Sequence, residues 1–213
     1  MNIVAAYPSI NIRKASETAE KWKLKGYHVA VLVETDDESI PNVDLVVHNK
    51  EWQGFPKAAN KLCQTLADLY DIIVLIGDDV YPDENMSHVI GDQFVRHFGG
   101  TFGVMQPTGD RYGCIDQAAV CPWIGAEYIK AAYKGNGPYW EGYYHYYCDA
   151  ELQEAAKMLG VFQQRRDLCQ YHDHWGRKNE DRPKHLIQAL HSHPHDQELF
   201  TKRLRKGFPG HAV

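Results

Sequence analysis

The sequence predicts a single α/β domain with a mostly parallel central sheet flanked by helices, and three observations carry that expectation. Apolar runs bounded by turn residues recur at 3–6, 27–33 and 71–76. In the last of them five large aliphatic residues, Ile72-Ile73-Val74-Leu75-Ile76, follow one another without a polar break, as in a strand buried on both faces. These runs alternate with segments of helical period, which implies parallel strands joined by right-handed crossovers. The length of 213 residues suits one sizeable core.

Taken in order, Ile3-Val4-Ala5-Ala6 is a first strand that ends in Tyr7-Pro8-Ser9. Residues 12–25 read as a helix with a charged outer face, stopped by Gly26. Residues 27–33 form a second strand, ending in the acidic run Glu34-Thr35-Asp36-Asp37-Glu38, and 43–48 a third. Residues 55–70 place Ala58, Ala59, Leu62, Leu66 and Leu69 at helical spacing before the strand 71–76. The first 80 residues thus read β-α-β-β-α-β. Further on, helices are expected over 85–97, 126–133 and 149–159, the last with Asp149 as its N-cap, and strands over 101–106 and 161–166. Beyond residue 185 the chain is rich in His and basic residues and reads as a solvated tail with a short helix near 197–206.

Composition excludes several classes. With 23 basic and 28 acidic residues the net charge is −5, so no nucleic-acid partner held by a general basic surface is expected. The five cysteines (Cys63, Cys114, Cys121, Cys148, Cys169) form no CxxC pair, which points to a reducing, cytoplasmic setting rather than a disulfide framework. No signal peptide and no transmembrane segment is expected. G-x-G-x-x-G is missing after the first strand, and G-x-x-x-x-G-K-[ST] is missing throughout; these absences disfavour dinucleotide-binding and P-loop classes. Oligomeric state is left open by the sequence.

Four constellations bear chemistry. Gly77-Asp78-Asp79 follows the most buried strand, at the end where ligands bind in parallel sheets. Adjacent carboxylates repel unless a cation or proton lies between them, and carboxylate oxygens suit Mn²⁺ or Mg²⁺ shared with substrate phosphates; a solvated acidic turn is the plain alternative. In Tyr171-His172-Asp173-His174-Trp175-Gly176-Arg177 two imidazoles at i, i+2 project to one side of an extended segment, with Arg177 suited to a phosphate. Asp149 follows the aromatic run from Tyr139 to Tyr147 and is suited to general base or to helix cap. Lys57 in Gly54-Phe55-Pro56-Lys57-Ala58-Ala59-Asn60 sits at a helix N-terminus against the dipole preference, which makes sense if an anion binds there.

These features, in this order, resemble a GT-A-fold (Rossmann-like) glycosyltransferase, family 2-like, over residues 1–185. The resemblance implies a nucleotide-sugar half over about 1–83, an acceptor half over about 84–185 and a tail over 186–213. It further implies that Ala6, Tyr7, Pro8, Ser9 and Glu34 border the nucleotide base and that Lys57 and Asn60 lie near the ribose or diphosphate. Asp79 would be the main metal ligand, Asp78 would reach the ribose or the metal, and His172 or His174 would complete the shell. Asp149 would take the acceptor proton, with Trp123, Trp140 and Tyr143 forming the acceptor surface. Gly77 stands where an Asp-x-Asp motif ending on Asp79 carries its first aspartate. The implied activity is metal-dependent transfer of a sugar from a nucleotide-diphosphate sugar, UDP-sugars favoured, to a carbohydrate or other hydroxyl acceptor. Two alternatives remain open. A sugar nucleotidyltransferase would carry a Gly-rich basic loop where this chain has Tyr7-Pro8-Ser9, and a non-catalytic carbohydrate- or metal-binding module would bind no nucleotide.

Overall fold

The structure, a computed structural model, describes residues 1–36, 39–111, 117–181 and 183–211, and of residues 184, 185 and 188 the backbone alone. Strands β1 (Ile3–Pro8), β2 (His28–Val33), β3 (Leu45–His48) and β4 (Ile72–Leu75) alternate with α1 (Ile12–Lys23) and α2 (Phe55–Leu66), as expected. There follow β5 (Val80–Tyr81), α3 (Ser87–Phe98), β6 (Val104–Pro107), β7 (Trp123–Gly125) and α4 (Ala126–Ala131). The order closes with α5 (Cys148–Met158), β8 (Phe162–Arg165), β9 (Tyr171–His172) and α6 (Lys184–Leu204).

The described residues form a seven-stranded sheet in the order β3-β2-β1-β4-β7-β6-β8 and a separate β5-β9 ribbon. β1 pairs in parallel with both β2 and β4, while β7 runs antiparallel between β4 and β6. The central strands of the sheet are buried on both faces. Val4, Ala6, Ile73 and Leu75 point into a core with α2, α4 and α5; Ile3, Ala5, Tyr7, Ile72 and Val74 point into a second core with α1 and α3. This alternation is the period of two that puts successive strand residues on opposite faces. The chain winds from β1 outward to β3 and then returns past β1 to β4, so the strand order reverses beside β1. The crevice beyond the carboxyl ends of β1 and β4 is where such a reversal opens a ligand site.

Local chemistry fixes the helix starts. Asn11 Oδ1 accepts the Lys14 amide at 3.1 Å to cap α1. Gly54 precedes α2 at φ +101°, and a Cβ there would lie 2.5 Å from the Tyr144 carbonyl, so no other residue fits without displacing that loop. Pro56 is tolerated in the first turn, where its missing N–H costs nothing.

Two elements were not foreseen, and one expectation changes. Trp123–Gly125 is a strand too short to show a period in sequence. The β5-β9 ribbon is two residues deep on each side. The C-terminal segment is a 21-residue helix with Pro194 inside it, followed by buried Phe208 and His211, rather than a short helix with a loose end. Within it His191 and His195 are exposed, but His193 stacks edge-on to Tyr146 and Tyr147. Cys63, Cys121, Cys148 and Cys169 are free thiols, and Cys114 lies outside the described residues, as do Asp37 and Glu38 of the acidic run. No described helix is long and apolar enough to cross a membrane.

Candidate active site

The turn Gly77-Asp78-Asp79 leaves β4 at the strand-order reversal and sends its two carboxylates in different directions. Asp78 is anchored toward β1 and α1: Oδ2 accepts the Ser9 hydroxyl at 2.7 Å, Oδ1 lies 3.0 Å from Lys14 Nζ, and its carbonyl accepts Thr18 Oγ1 at 2.6 Å. Asp79 faces the ribbon, with Oδ2 3.3 Å from His172 Nε2 and its carbonyl accepting the Asp173 amide at 2.7 Å. Burial pushes the Asp79 pKa up, but the hydrogen bond and charge of His172, with Lys14, hold it net below the usual carboxylate value. The carboxylate therefore stays ionised at neutral pH. Gly77 has a steric reason: a Cβ there would sit 2.7 Å from Asp79 Oδ1.

The ribbon brings the two halves of the site together. Val80 pairs with His172 and Tyr81 with Tyr171, which sets His172 beside Asp79 across more than ninety residues of chain. Asp110 braces this arrangement, accepting the Arg177 guanidinium and, at 3.3 Å, the His172 amide. Asp173 accepts Lys178 Nζ at 2.6 Å and the Tyr81 hydroxyl at 3.2 Å. Lys21 Nζ lies 3.2 Å from the Tyr81 ring centroid and the Arg177 guanidinium 4.9 Å from that of Tyr171. The His172 and His174 rings are 5.1 Å apart, so the i, i+2 spacing does bring them together, although His174 Nδ1 accepts the Gly176 amide.

A divalent cation fits part of this donor set. Ligand bonds of about 2.0–2.2 Å at right angles place neighbouring donor atoms about 3 Å apart, close to the observed Asp79–His172 separation. Among the described residues no group of three or more His, Cys, Asp or Glu is arranged to hold a metal. A cation here would take its other ligands from water and substrate oxygens, as Mg²⁺ and its kin commonly do.

Asp149 lies in the first turn of α5, where the helix dipole favours a negative charge. It is not the N-cap; that place belongs to Tyr147, in the left-handed region at φ 67°. Asp149 Oδ1 accepts the Ala150 amide at 2.9 Å, yet burial dominates and raises its pKa. Burial, then the charges of Asp79, Asp149 and Asp110, push the Cys121 thiol well up. The Asp149 carbonyl accepts the Ala119 amide at 3.2 Å, and the Pro122 carbonyl accepts the Leu75 amide at 2.9 Å, so the segment leading into β7 touches both the start of α5 and the end of β4.

Other expected contacts move. Ala6 and Tyr7 are core residues, the Tyr7 hydroxyl donating to the Ala15 carbonyl at 2.7 Å; Pro8 is half-buried. Glu34 and Lys57 are exposed, with Lys57 Nζ 3.2 Å from Gln53. Asn60 is fully buried, and its amide exchanges hydrogen bonds with the Tyr139 backbone at 2.9 and 3.0 Å. That pairing consumes both ends of the side chain, so Asn60 is a clamp and not a ribose contact. Trp123 is 1% exposed in β7, and the Tyr143 hydroxyl donates to Glu151 at 2.6 Å inside the core; neither forms an acceptor surface. Trp140 is half-buried beneath the Arg203 guanidinium, 4.1 Å away. Sequence reasoning missed Lys14 and Asp110. Asp110 had a signal, since Gly109-Asp110 follows a strand as Gly77-Asp78 does; Lys14 had none.

The sequence matches no family model and no curated protein sequence. Solved structures match the fold. One is a Drosophila β1,4-galactosyltransferase 7 mutant in complex with manganese, UDP-Gal and xylobiose, with TM-score 0.52 and 12% identity over 86% of this chain and 76% of that one. At this identity the likeness is one of architecture, and the mixed sheet flanked by helices is that of a GT-A domain.

Proposed function

We propose that the protein is a metal-dependent glycosyltransferase that moves a sugar from a nucleotide-diphosphate sugar, UDP-sugars foremost, to the hydroxyl of a carbohydrate or related acceptor. One observation carries this reading: at the strand-order reversal of a GT-A sheet, Asp79 meets His172 at 3.3 Å, while the segment leading into β7 joins the end of β4 to the start of α5 at Asp149. The similar solved structure holds manganese, UDP-Gal and xylobiose, which supports the donor and acceptor classes. It is a β1,4-galactosyltransferase, so its support extends to GT-A transferases at large and not to family 2-like members in particular.

Asp79 and His172 would hold Mn²⁺ or Mg²⁺, which when bound supplies neutralising charge to a departing diphosphate. Asp78, already tied to Ser9 and Lys14, keeps the turn in place. Lys57 and Glu34 are exposed and would be available to the diphosphate and the base. Asp149 takes the acceptor proton as the acceptor oxygen forms its bond to the anomeric carbon and the bond from that carbon to the diphosphate breaks. Burial raises its pKa, which makes it a better proton acceptor than a solvated aspartate. The nucleotidyltransferase alternative loses ground because the loop after β1 has no cation and its Ser9 is engaged by Asp78.

Incubating the pure protein with a panel of nucleotide sugars, an acceptor panel and Mn²⁺ tests this, with released nucleotide diphosphate as the readout. Asp79→Ala is expected to abolish metal-dependent nucleotide binding without lowering the melting temperature. The proposal fails if no donor is hydrolysed or transferred and no nucleotide raises the melting temperature.

A further inference from the structure

The segment that leads into Asp149 is built almost without regular structure of its own. Between Trp140 and Cys148 the chain is a run of turns, and it enters α5 through Tyr147 at φ 67°, a conformation that costs a β-carbon-bearing residue free energy unless its surroundings impose it. What imposes it is α6. Four residues of that helix, His193, Asp196, Phe200 and Arg203, recur at i, i+3, i+7 and i+10 and so form one face. Each grips a successive part of the segment.

His193 packs edge-on against the rings of Tyr146 and Tyr147, at 4.9 and 5.4 Å. Asp196 has no solvent exposure. Its carboxylate accepts three consecutive backbone amides, from Tyr144 at 3.1 Å, His145 at 3.0 Å and Tyr146 at 2.9 Å, with the Ser192 hydroxyl at 3.1 Å. Phe200 stacks on Tyr147 at 5.3 Å. Arg203 donates to Glu151 of α5 from Nε and from its terminal nitrogen, at 2.6–3.0 Å. The grips fall on both sides of Asp149 in sequence: Asp196 holds the backbone just before it and Arg203 the carboxylate two residues after it. From the opposite side Gly54 and Phe55 hold the same loop, the Phe55 amide donating to the Tyr144 carbonyl at 2.9 Å.

We infer that α6 is the positioning element of the acceptor site: Asp196, assisted by Phe200, sets the backbone from which α5 starts and thereby the place of the Asp149 carboxylate. The inference rests on the glycosyltransferase reading for the role of Asp149. Neither Asp196 nor Phe200 touches substrate; both act through Asp149, whose displacement by about 1 Å is enough to cost roughly a hundredfold in rate. Buried carboxylates that gather successive amides hold their loop by charge-assisted hydrogen bonds. Asp196→Asn keeps the size of the side chain but turns an amide donor toward donors, which loosens the loop without opening a cavity.

The test compares wild type, Asp196→Asn and Phe200→Leu in three measurements: melting temperature, UDP affinity with Mn²⁺ by calorimetry, and transfer kinetics. Folded variants are expected to bind UDP within about twofold of wild type, while kcat falls roughly 10- to 100-fold. Phe200→Leu, which leaves every hydrogen bond in place, keeps the test open if Asp196→Asn does not fold; its kcat is expected to fall several-fold at unchanged UDP affinity. An unchanged kcat in a folded variant overturns the inference alone, as does a parallel fall of UDP affinity and kcat, which marks a general loosening of the fold. A wild type without turnover overturns it together with the proposed function.

Discussion

Replacing Arg203 by Met removes one partner of a buried ion pair and keeps the aliphatic stem. Glu151 is 1% exposed and Arg203 6%, so the remaining carboxylate has no route to water. In the native protein it accepts Arg203 together with the hydroxyls of Tyr133 and Tyr143. Burial lowers the Arg203 pKa, but the hydrogen bond and charge of Glu151 raise it net above the usual arginine value, as a closely paired cation requires. Breaking a buried pair by removing one member costs roughly 3–5 kcal/mol, because the other charge stays behind. Loss of the guanidinium over Trp140 adds about 1 kcal/mol. For a domain of this size each kcal/mol lowers the melting temperature by about 2–4 °C, so a fall of roughly 8–24 °C is expected. Urea denaturation followed by circular dichroism measures the loss directly. Pairing Arg203→Met with Glu151→Gln leaves no charge and still gives both tyrosines an acceptor, so it should recover about 2 kcal/mol or more. A single-variant loss below about 1 kcal/mol, or a double variant no better than the single, refutes the reasoning.

Two further outcomes follow from the site and from the buried C-terminal histidine. Gly77→Ala forces the Asp79 carboxylate aside, since the new Cβ meets Oδ1 at 2.7 Å; Mn²⁺-dependent UDP affinity should fall about tenfold with stability changed by less than about 1 kcal/mol, as calorimetry and melting would show. His211 is held neutral, burial pulling its pKa from 6.5 down to about 4, with Nε2 2.9 Å from the Tyr128 hydroxyl. Between those values the unfolded chain binds more protons than the folded one, so stability rises with pH across this window and is lost as pH falls from about 6.5 toward 4. The loss is at most about 3 kcal/mol, and His211→Gln should flatten that part of the stability–pH curve.

Much of the first half of the fold was legible because its signals are local. Ile72 to Ile76 can only be buried, and Gly26, Gly54 and Pro56 mark element ends by backbone chemistry. The site was legible in outline for the same reason: His172 or His174 was expected beside Asp79, and it is His172 that lies 3.3 Å from it. What carried the meeting was not legible. A two-residue ribbon has no period to detect, and its pairing joins positions far apart in the chain. α6 was hidden for a different reason. Its inward face carries His193, Asp196 and Arg203 as well as Phe200, so an apolar template finds no stripe although the helix is docked. Residue type also misled at Trp123, Tyr143 and Asn60, where an aromatic ring or an amide is as much at home paired inside a core as against a ligand.

The reach of the α6 contacts bears on the order in which the molecule assembles. Asp196 meets Tyr144, and Arg203 meets Glu151, across 52 positions in each case, whereas β1, α1 and β2 find one another within the first 33 residues. At synthesis rates of about 5–20 residues per second, the loop before Asp149 leaves the ribosome roughly 3–10 s before the carboxylate that fixes it. During that interval β1 to β4 have already been synthesised, while the aromatic run from Tyr139 to Tyr147 has neither its central anion nor its stacking partners. Nascent chains therefore pass through a stage in which β1 to β4 have been made while the loop before Asp149 is unset, and its tyrosines lack the α6 face that covers them in the folded protein.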